Sequence, residues 1–282
     1  MKYIDVSEWQ GVIDWERVKP HIDGAILRAG YGQNGADKYF ARNAAECNRL
    51  GIPAGAYWFS YAKTVEDARA EAKALLAAVR PYRMELPLAF DFEYDSVTSA
   101  KRAGVAVTKA LCSDMVRAFC GAVEQAGYWA LNYANPDFLS RYFDAQIPLR
   151  YGLWLAQWPD KPNPKNPPRQ CAVWQWGGSE VPGIDGKVDT NESYQDFKKI
   201  ITAAGMNRLG YPEDDGSVTF EHTQAQPQKP WYADAMAWMI AQGLYTEERP
   251  TDPVNRAELA TVLYRAMGPQ DDKTASGIIS DD

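Results

Sequence analysis

The chain has 282 residues, of which 46% are hydrophobic and 24% charged, and this leaves room for one barrel-sized domain plus a smaller module. A net charge of -7 without clustered lysines and arginines excludes a nucleic-acid partner and disfavours an anionic membrane surface. The 10 tryptophans and 16 tyrosines fit either a packed core or a groove that stacks sugar rings.

Along the first two hundred residues, short β-like runs alternate with amphipathic helical patterns. The predicted helices are Lys38–Leu50, Val65–Val79 and Lys109–Gln125. The predicted strands are Tyr3–Trp9, Gly24–Gly30, Ala54–Ser60, Leu86–Glu93, Tyr128–Tyr133, Gly152–Trp158, Ala172–Trp176 and Lys187–Asn191. This alternation predicts an α/β barrel that is irregular where the later strands are separated by less helix. An open doubly wound sheet is the alternative, although no glycine-rich phosphate loop follows the first strand.

The pattern breaks from residue 206. Residues 206–230 contain a stretch rich in Pro, Gln, Asp and Glu without periodicity, which predicts a linker. Two helical segments follow, at Trp231–Gln242 and Arg256–Met267. We therefore expect a barrel at 1–205, a linker at 206–230 and a small helical module at 231–282.

The apolar runs, the N-terminal segment and the cysteines do not indicate a membrane-spanning, secretory or metal-binding role. No run approaches the roughly 20 apolar residues of a membrane-spanning helix. The opening MKYIDVSEWQ lacks the apolar region of a secretory signal, so we expect synthesis in a cytoplasm without a signal peptide. The 4 cysteines show no metal-ligand spacing and only 2 histidines are available, so we expect neither a metal nor another cofactor.

Four acidic residues lie at or near predicted strand ends. Asp5 lies in the first strand, Asp91 and Glu93 close the fourth, and Asp189 lies in the last. In a parallel barrel, residues at the carboxyl ends of the strands face the active-site mouth. The sequence therefore predicts that these four carboxylates meet at one end of the barrel.

The strongest local signal is the run Asp91-Phe92-Glu93. Side chains two apart on a strand point to one face, with Cα atoms about 6.6–6.8 Å apart. Two such carboxylates repel each other, and the raised pKa keeps one protonated as a general acid. A solvated or ion-paired strand end is the alternative, which the preceding apolar run LPLAF disfavours. Asp5 and Asp189 taken singly read equally well as cap or turn residues.

Six motifs occur in an order and spacing that resembles the glycoside hydrolase family 25 lysozymes, over essentially all of residues 1–200. They are DVSEWQGVIDW at Asp5–Trp15, AILRAGYG at Ala25–Gly32, GAYWFSY at Gly55–Tyr61, FDFEY at Phe90–Tyr94, WLAQW at Trp154–Trp158 and AVWQWGGSEVPGIDGKVDTN at Ala172–Asn191. The resemblance implies a flattened, irregular TIM-like (β/α) barrel. It also implies an N-acetylmuramidase that cleaves the β-1,4 bond between N-acetylmuramic acid and N-acetylglucosamine in peptidoglycan.

The resemblance also implies roles for the four carboxylates. Glu93 would be the general acid on the leaving oxygen. Asp91 would orient the substrate's acetamido group or stabilise positive charge at the anomeric carbon, and Asp5 and Asp189 would support them. Carboxyls two apart on a strand lie between the separations typical of retaining (about 5–5.5 Å) and inverting (about 6.5–9.5 Å) enzymes. We favour retention through the substrate's acetamide, a known exception to both classes.

Several side chains in these motifs are candidates for sugar binding, with core packing as the alternative for each. Tyr57 and Tyr133, near strand ends, are the strongest candidates. Gln157 and Gln175 could hydrogen-bond sugar hydroxyls. The full set of aromatic candidates is Tyr31, Tyr57, Trp58, Tyr61, Tyr133, Trp154 and Trp176.

The C-terminal segment that begins WYADAMAWMIAQGL resembles a single S-layer homology motif. In that family such motifs bind secondary cell-wall polysaccharide and usually occur in threes. One copy therefore leaves open whether it binds glycan alone or after homo-oligomerisation. Arg256 and Glu258 match the ligand-proximal stretch. A helical hairpin that packs on the barrel or dimerises is the alternative.

These features predict a lytic muramidase with bacterial peptidoglycan as its partner. A phage or prophage endolysin, held in the host cytoplasm until lysis, fits the expected lack of a signal peptide and the wall-binding module. An autolysin exported by another route is the variant of this hypothesis. A glycan-binding protein without turnover and a chitinase-like amino-sugar hydrolase are the alternatives.

Overall fold

The structure is a computed structural model that describes residues 1–33 and 35–209. The predicted helical module at 231–282, with Arg256 and Glu258, lies outside the described residues, as does most of the predicted linker. The predicted division of the chain into barrel, linker and module therefore stays a prediction.

In the described part of the chain, nine strands form one sheet, and eight of them close into a barrel because β1 pairs with both β2 and β9. The strands are β1 (Lys2–Val6), β2 (Gly24–Tyr31), β3 (Gly35–Ala36), β4 (Ala54–Phe59), β5 (Leu88–Asp91), β6 (Ala130–Ala134), β7 (Leu153–Ala156), β8 (Val173–Glu180) and β9 (Lys187–Ser193). The short β3 pairs only with the end of β2 and stands outside the ring. The predicted α/β barrel is confirmed.

The last barrel strand runs against the others. Neighbouring strands from β1 through β2 and β4 to β8 are parallel, whereas β9 is antiparallel to both β8 and β1. The beginning of β9 therefore lies at the end of the barrel where the other strands finish. Asp189 reaches that end as the third residue of β9, and the expectation that it lies near the carboxyl end of a parallel strand is wrong.

Helices surround most of the ring. They are α1 (Trp15–Val18), α2 (Phe40–Leu50), α3 (Val65–Val79), α4 (Tyr94–Arg102), α5 (Lys109–Gln125), α6 (Pro136–Arg141), α7 (Gln146–Tyr151) and α8 (Phe197–Ala203). The bounds of α3 and α5 equal the predicted ones. The described segments 157–172 and 181–186 contain no helix, which is the predicted irregularity. None of the described helices is long and apolar enough to cross a bilayer.

Alternation along the strands creates two apolar layers. On β4, Ala56 and Trp58 pack in the layer between the ring and the helices, while Tyr57 belongs to the cluster inside the ring. Successive strand residues point to opposite faces. Each strand therefore sends one set of side chains to the helices and the other to the barrel interior.

The amino end of the barrel is sealed. Asn207 donates to the carbonyls of Met84 and Leu86, both at 3.0 Å, and accepts from the backbone N–H of Trp129 at 2.7 Å. Phe197, Ile201 and Leu209 are buried in the same interior cluster as Tyr3. These contacts close one end with apolar groups and satisfied polar groups, and the carboxyl end stays open.

Candidate active site

A pocket opens at the carboxyl end of the parallel strands. All four carboxylates predicted from the sequence line it. The lining residues are Asp5, Val6, Ser7, Trp9, Gln10, Arg28, Tyr57, Phe59, Asp91, Glu93, Tyr133, Trp154, Gln175 and Asp189.

Asp5 and Asp189 come together across the seam where the barrel closes. They are directly opposite each other in the antiparallel pairing of β1 with β9. Opposite residues of such a pair have Cβ atoms about 4.5–5.5 Å apart on one face. Asp5 is buried. Two carboxyls from distant parts of the chain are therefore neighbours at the floor of the pocket.

Asp91 and Glu93 come together at the end of β5. Asp91 is the last residue of β5, and Glu93 precedes α4 with extended backbone angles, φ -126° and ψ -166°. The hydroxyl of Ser96 accepts from the Glu93 N–H at 3.0 Å and holds this conformation. The extended geometry continues through Glu93, so both carboxyls share one side and are hydrogen-bonded to each other.

Burial raises the pKa of all four carboxyls, and repulsion from neighbouring carboxylates raises the pKa values of Asp5, Asp91 and Glu93 further. Burial, followed by the charge of Asp189, raises the pKa of Asp5 to about 7. Burial and the neighbouring Glu93 raise the pKa of Asp91 well above its ordinary value, and burial also raises the pKa values of Glu93 and Asp189. The hydrogen-bonded pair of Asp91 and Glu93 therefore keeps a proton that its two members share.

Two amides hold Asp5 from one side. Gln175 donates through Nε2 at 3.0 Å and Asn191 through Nδ2 at 2.8 Å, and both bonds end on Oδ2 of Asp5. These bonds favour the ionised form of Asp5 and oppose the effect of burial on its pKa. Gln175 was a sequence candidate for sugar binding, and the structure instead places its amide nitrogen on a carboxylate.

Arg28 brings a cation into this acidic pocket, and sequence reasoning missed it. Its guanidinium pairs with Glu8 at 2.8 Å and Asp37 at 2.9 Å. Arg28 also lowers the pKa of Asp91, although burial has the larger opposite effect. A charged residue inside the apolar strand run AILRAG was the available signal, because buried charges occur only with partners.

Three of the predicted aromatic side chains line the pocket. Tyr57 and Tyr133 pack edge-on against Trp154, with ring centroids 5.9 and 4.9 Å away. Tyr133 donates its hydroxyl to Gln175 at 3.0 Å, and Trp154 donates its indole N–H to Asn191 at 2.7 Å. Their rings form the apolar wall beside the carboxylates.

The other sequence candidates do not line the pocket. Trp58 and Trp176 pack with the outer layer, and Trp58 donates to the carbonyl of Gly32 at 2.8 Å. Each directly follows a pocket-lining residue on its strand, so it faces the opposite side. Tyr31, Tyr61 and Gln157 are also absent from the lining.

Trp9 and Phe59 line the pocket and were missed as single residues. Trp9 is 81% exposed in the short 3₁₀ turn Glu8–Gln10 that follows β1. Asp37 holds this turn by accepting from the Glu8 N–H at 2.8 Å. A tryptophan close to the carboxyl end of the first strand was the available signal, because these strand ends face the active site of a parallel barrel.

The sequence profile of the glycosyl hydrolases family 25 matches residues 4–184. The chain belongs to this family. The match contains Asp5, Asp91 and Glu93 and ends before Asp189. The place of Asp189 in this family-25 site therefore depends on the strand pairing of β9 with β1.

Similar proteins include a curated relative and solved structures. The uncharacterized protein YegX of Escherichia coli K12 is 30% identical over 199 residues, 67% of either chain. The autolysin LytC from Streptococcus pneumoniae is 32% identical with a TM-score of 0.56, over 67% of this chain and 46% of LytC. The CTP1L endolysin is 23% identical with a TM-score of 0.59, over 72% of this chain and 69% of its own. The last likeness concerns the fold.

Proposed function

We propose that this family-25 hydrolase is a peptidoglycan hydrolase that cleaves the β-1,4 bond between N-acetylmuramic acid and N-acetylglucosamine. The observation that carries the proposal is the buried, hydrogen-bonded pair of Asp91 and Glu93 in an open pocket. LytC, the relative with 32% identity, has been solved in complex with a synthetic peptidoglycan ligand. That likeness supports peptidoglycan as the substrate.

Glu93 supplies the proton to the leaving oxygen. Of the pair, Glu93 is the less buried member, whereas Asp91 is only 5% exposed. A general acid must reach the glycosidic oxygen and must be protonated near the working pH. The raised pKa values of the pair meet the second condition, and the position of Glu93 meets the first.

Asp91 holds the substrate's acetamido group. Its Oδ1 atom is buried and receives no N–H or hydroxyl donor from the described residues. A buried acceptor without a partner costs free energy until a donor reaches it. An acetamide N–H fits this acceptor and would leave the amide oxygen free to attack the anomeric carbon. The product would then keep its configuration, as in substrate-assisted glycosidases.

Digestion of purified cell walls tests the activity and the bond. We expect the wild type to clear a wall suspension and Glu93→Gln to lose clearing by about 10²- to 10⁴-fold. Mass spectrometry of the fragments should show N-acetylmuramic acid at each new reducing end. Glu66→Gln is the matched control, since Glu66 is an exposed residue of α3 paired with Arg69.

Each other outcome favours a different function. New reducing ends at N-acetylglucosamine would favour the chitinase-like alternative. Binding to walls without release of fragments would favour the glycan-binding alternative. Equal clearing by wild type and Glu93→Gln would contradict the role of Glu93. NMR of the first products should show the retained anomer, and immediate release of the inverted anomer would contradict the role of the acetamide.

The proposal extends to a phage or prophage endolysin held in the host cytoplasm until lysis. Expression inside a susceptible host tests this origin. We expect lysis only after a membrane-disrupting agent is added. Lysis without the agent would favour an exported autolysin; the relative LytC is an autolysin.

The proposal also includes wall targeting by residues 231–282. Its support is the resemblance to an S-layer homology motif, with secondary cell-wall polysaccharide as the expected ligand. Deletion of 231–282 keeps Asn207 and Leu209, which pack on the barrel. We expect cleavage of soluble glycan to persist and binding to intact walls to fall. Unchanged wall binding would remove the targeting role, and sedimentation of the full chain would show whether it assembles into homo-oligomers.

A further inference from the structure

Trp158 joins the surface of the protein to the floor of the pocket. It follows β7 and its side chain is 57% exposed. Its indole Nε1 donates to Oε1 of Gln175 at 3.2 Å. Gln175 is only 4% exposed and donates its other end to Asp5. Gln175 thereby links the exposed ring of Trp158 to the buried carboxylate of Asp5 through two hydrogen bonds.

The indole decides which way the amide of Gln175 points. An indole N–H can only donate, whereas an amide has one end that accepts and one that donates. The end of Gln175 that faces Trp158 is therefore the oxygen, and the NH₂ faces Asp5. The hydroxyl of Tyr133 also contacts Oε1, but a hydroxyl can donate or accept and does not decide the orientation.

A second indole does the same for Asn191. Trp154 donates to Oδ1 of Asn191 at 2.7 Å, and Asn191 turns its Nδ2 toward Oδ2 of Asp5 at 2.8 Å. One carboxylate oxygen thus receives two N–H donors, each oriented by a donor-only ring. A flipped amide would instead place an acceptor against the carboxylate, which favours the protonated acid.

We propose that Trp158 is a positioning residue for the hydrolysis, because its indole N–H keeps the amide of Gln175 oriented as a donor to Asp5. The inference rests on the proposed function for its kinetic consequence. Trp158 acts through Gln175 and, among the described residues, its indole N–H is hydrogen-bonded to Gln175 and not to any of the four carboxylates. The ionised form of Asp5, which the two amides favour against the effect of burial, supplies negative charge at the floor of the pocket when positive charge develops at the anomeric carbon.

Other charged groups around Asp5 stay in place when Trp158 is changed. They lie on, or at the end of, three strands that pack around Asp5. The charges of Asp189 and Glu93 raise the pKa of Asp5 directly. These groups are Asp189 on β9, Asp91 and Glu93 at the end of β5, and Arg28 on β2. A shifted pKa of Asp5 in a Trp158 variant would therefore reflect a changed orientation of the Gln175 amide.

A double-mutant cycle with Trp158→Phe and Gln175→Met tests the proposal. Phenylalanine keeps an aromatic ring and removes the N–H. We expect Trp158→Phe to lower kcat about 3- to 10-fold and to move the acid limb of kcat/KM up by about half a pH unit. In the Gln175→Met background, the same change should alter neither kcat nor the acid limb further, because the two residues act as one unit.

Two results would overturn the proposal. Independent, multiplicative effects on kcat would show that Trp158 does not act through Gln175. A change in KM alone, with kcat and the pH profile intact, would show that Trp158 is only a platform for sugar. Trp129→Phe is the matched control, because Trp129 packs against Phe197 at the sealed end of the barrel. We expect it to leave the pH profile unchanged.

A titration that does not need turnover separates this proposal from the proposed function. Carbon-13 NMR of labelled aspartate carboxyls, assigned with Asp5→Asn, follows Asp5 in the wild type and in Trp158→Phe. We expect a higher pKa for Asp5 in the variant even if neither protein cleaves cell walls. An unchanged titration of Asp5 would overturn the positioning role, whereas absent cleavage by the wild type would overturn only the proposed function.

Discussion

The two ends of the barrel differ in whether their buried carboxyl groups have cationic partners. At the sealed end, Glu85 is 6% exposed and pairs with Lys198 at 2.9 Å and Arg83 at 3.3 Å. At the open end, four carboxyls line the pocket with Arg28 as the cation among its lining residues. Arg28 already pairs with Glu8 and Asp37.

The difference separates stability from function along the same strands. A buried carboxylate with cationic partners is compensated, whereas clustered carboxyls without them are destabilising and keep raised pKa values. Such strained sites are typical of places where activity limits stability. Substitutions at the open end should therefore lower activity and raise stability, and those at the sealed end should lower stability alone.

The largest expected effect is on activity at the open end. Asp91→Asn should lower kcat by about 10²- to 10⁴-fold, because an amide cannot accept the acetamide N–H with the strength of a carboxylate. The same change removes a buried acid from a cluster of like charges and should raise Tm by a few degrees. Reducing-end release and thermal unfolding measure the two effects. A lower Tm would contradict the comparison, and Asp114→Asn on the exposed face of α5 is the control.

Asn207→Ala should produce the largest effect at the sealed end. It removes two bonds to buried carbonyls and one from a backbone N–H. It also places alanine at φ 55°, a left-handed backbone that asparagine tolerates better. We expect the free energy of unfolding to fall by about 3 kcal/mol, with kcat unchanged in the folded fraction.

Asn207→Gly separates the two contributions, because glycine tolerates the positive φ. It should recover part of the loss in urea denaturation. Equal losses for Ala and Gly would assign the whole effect to the hydrogen bonds. A fall in kcat for either variant would show that the two ends are not independent.

The pH dependence of the free energy of unfolding should reflect the raised pKa of Asp5 at the open end. The folded pKa of Asp5, about 7, is above its ordinary value of 3.8, so the folded state binds a proton that the unfolded state has lost. This contribution is complete at low pH and is lost as pH rises through 7. Between pH 5.5 and 8.5 the free energy of unfolding should fall by about 2 kcal/mol because of this loss. Denaturation of Asp5→Asn should show a correspondingly smaller decline over this range, and an equal decline would contradict the raised pKa.

The smallest expected effect is at Glu85. Glu85→Gln should lower the free energy of unfolding by about 1 kcal/mol, since its two cationic partners are half-exposed. The sign is opposite to that expected for Asp91→Asn. Chemical denaturation of the two variants side by side measures this contrast, and the same sign for both would show that the ionic partners of Glu85 do not compensate its burial.

Local patterns carried most of the prediction of the fold. The bounds of α3 and α5 were predicted to the residue, because Thr64 and Thr108 are N-caps of amphipathic runs. The direction of β9 was not predictable in this way. An alternating pattern reads the same in parallel and antiparallel strands, so only the pairing with β1 and β8 reveals it.

The site was predictable where a single strand carried it and less so where strands meet. The spacing of Asp91 and Glu93 fixed their common side. Asp5 and Asp189 are neighbours because β1 pairs with β9, and the two residues are 184 positions apart along the chain. No local sequence pattern predicts such a pairing. Predicting sugar contacts for both Tyr57 and Trp58 disregarded strand alternation, which allows only one of them inside the ring.

The seam between β1 and β9 also affects how the protein folds. It joins residues near the two ends of the described barrel, and contacts of such long sequence separation form slowly because loop closure opposes them. Asp5 and Asp189 both lie on this seam. During refolding, recovery of hydrolysis should therefore lag behind recovery of helical circular dichroism, and enzymatic activity would report the final closing step of the barrel.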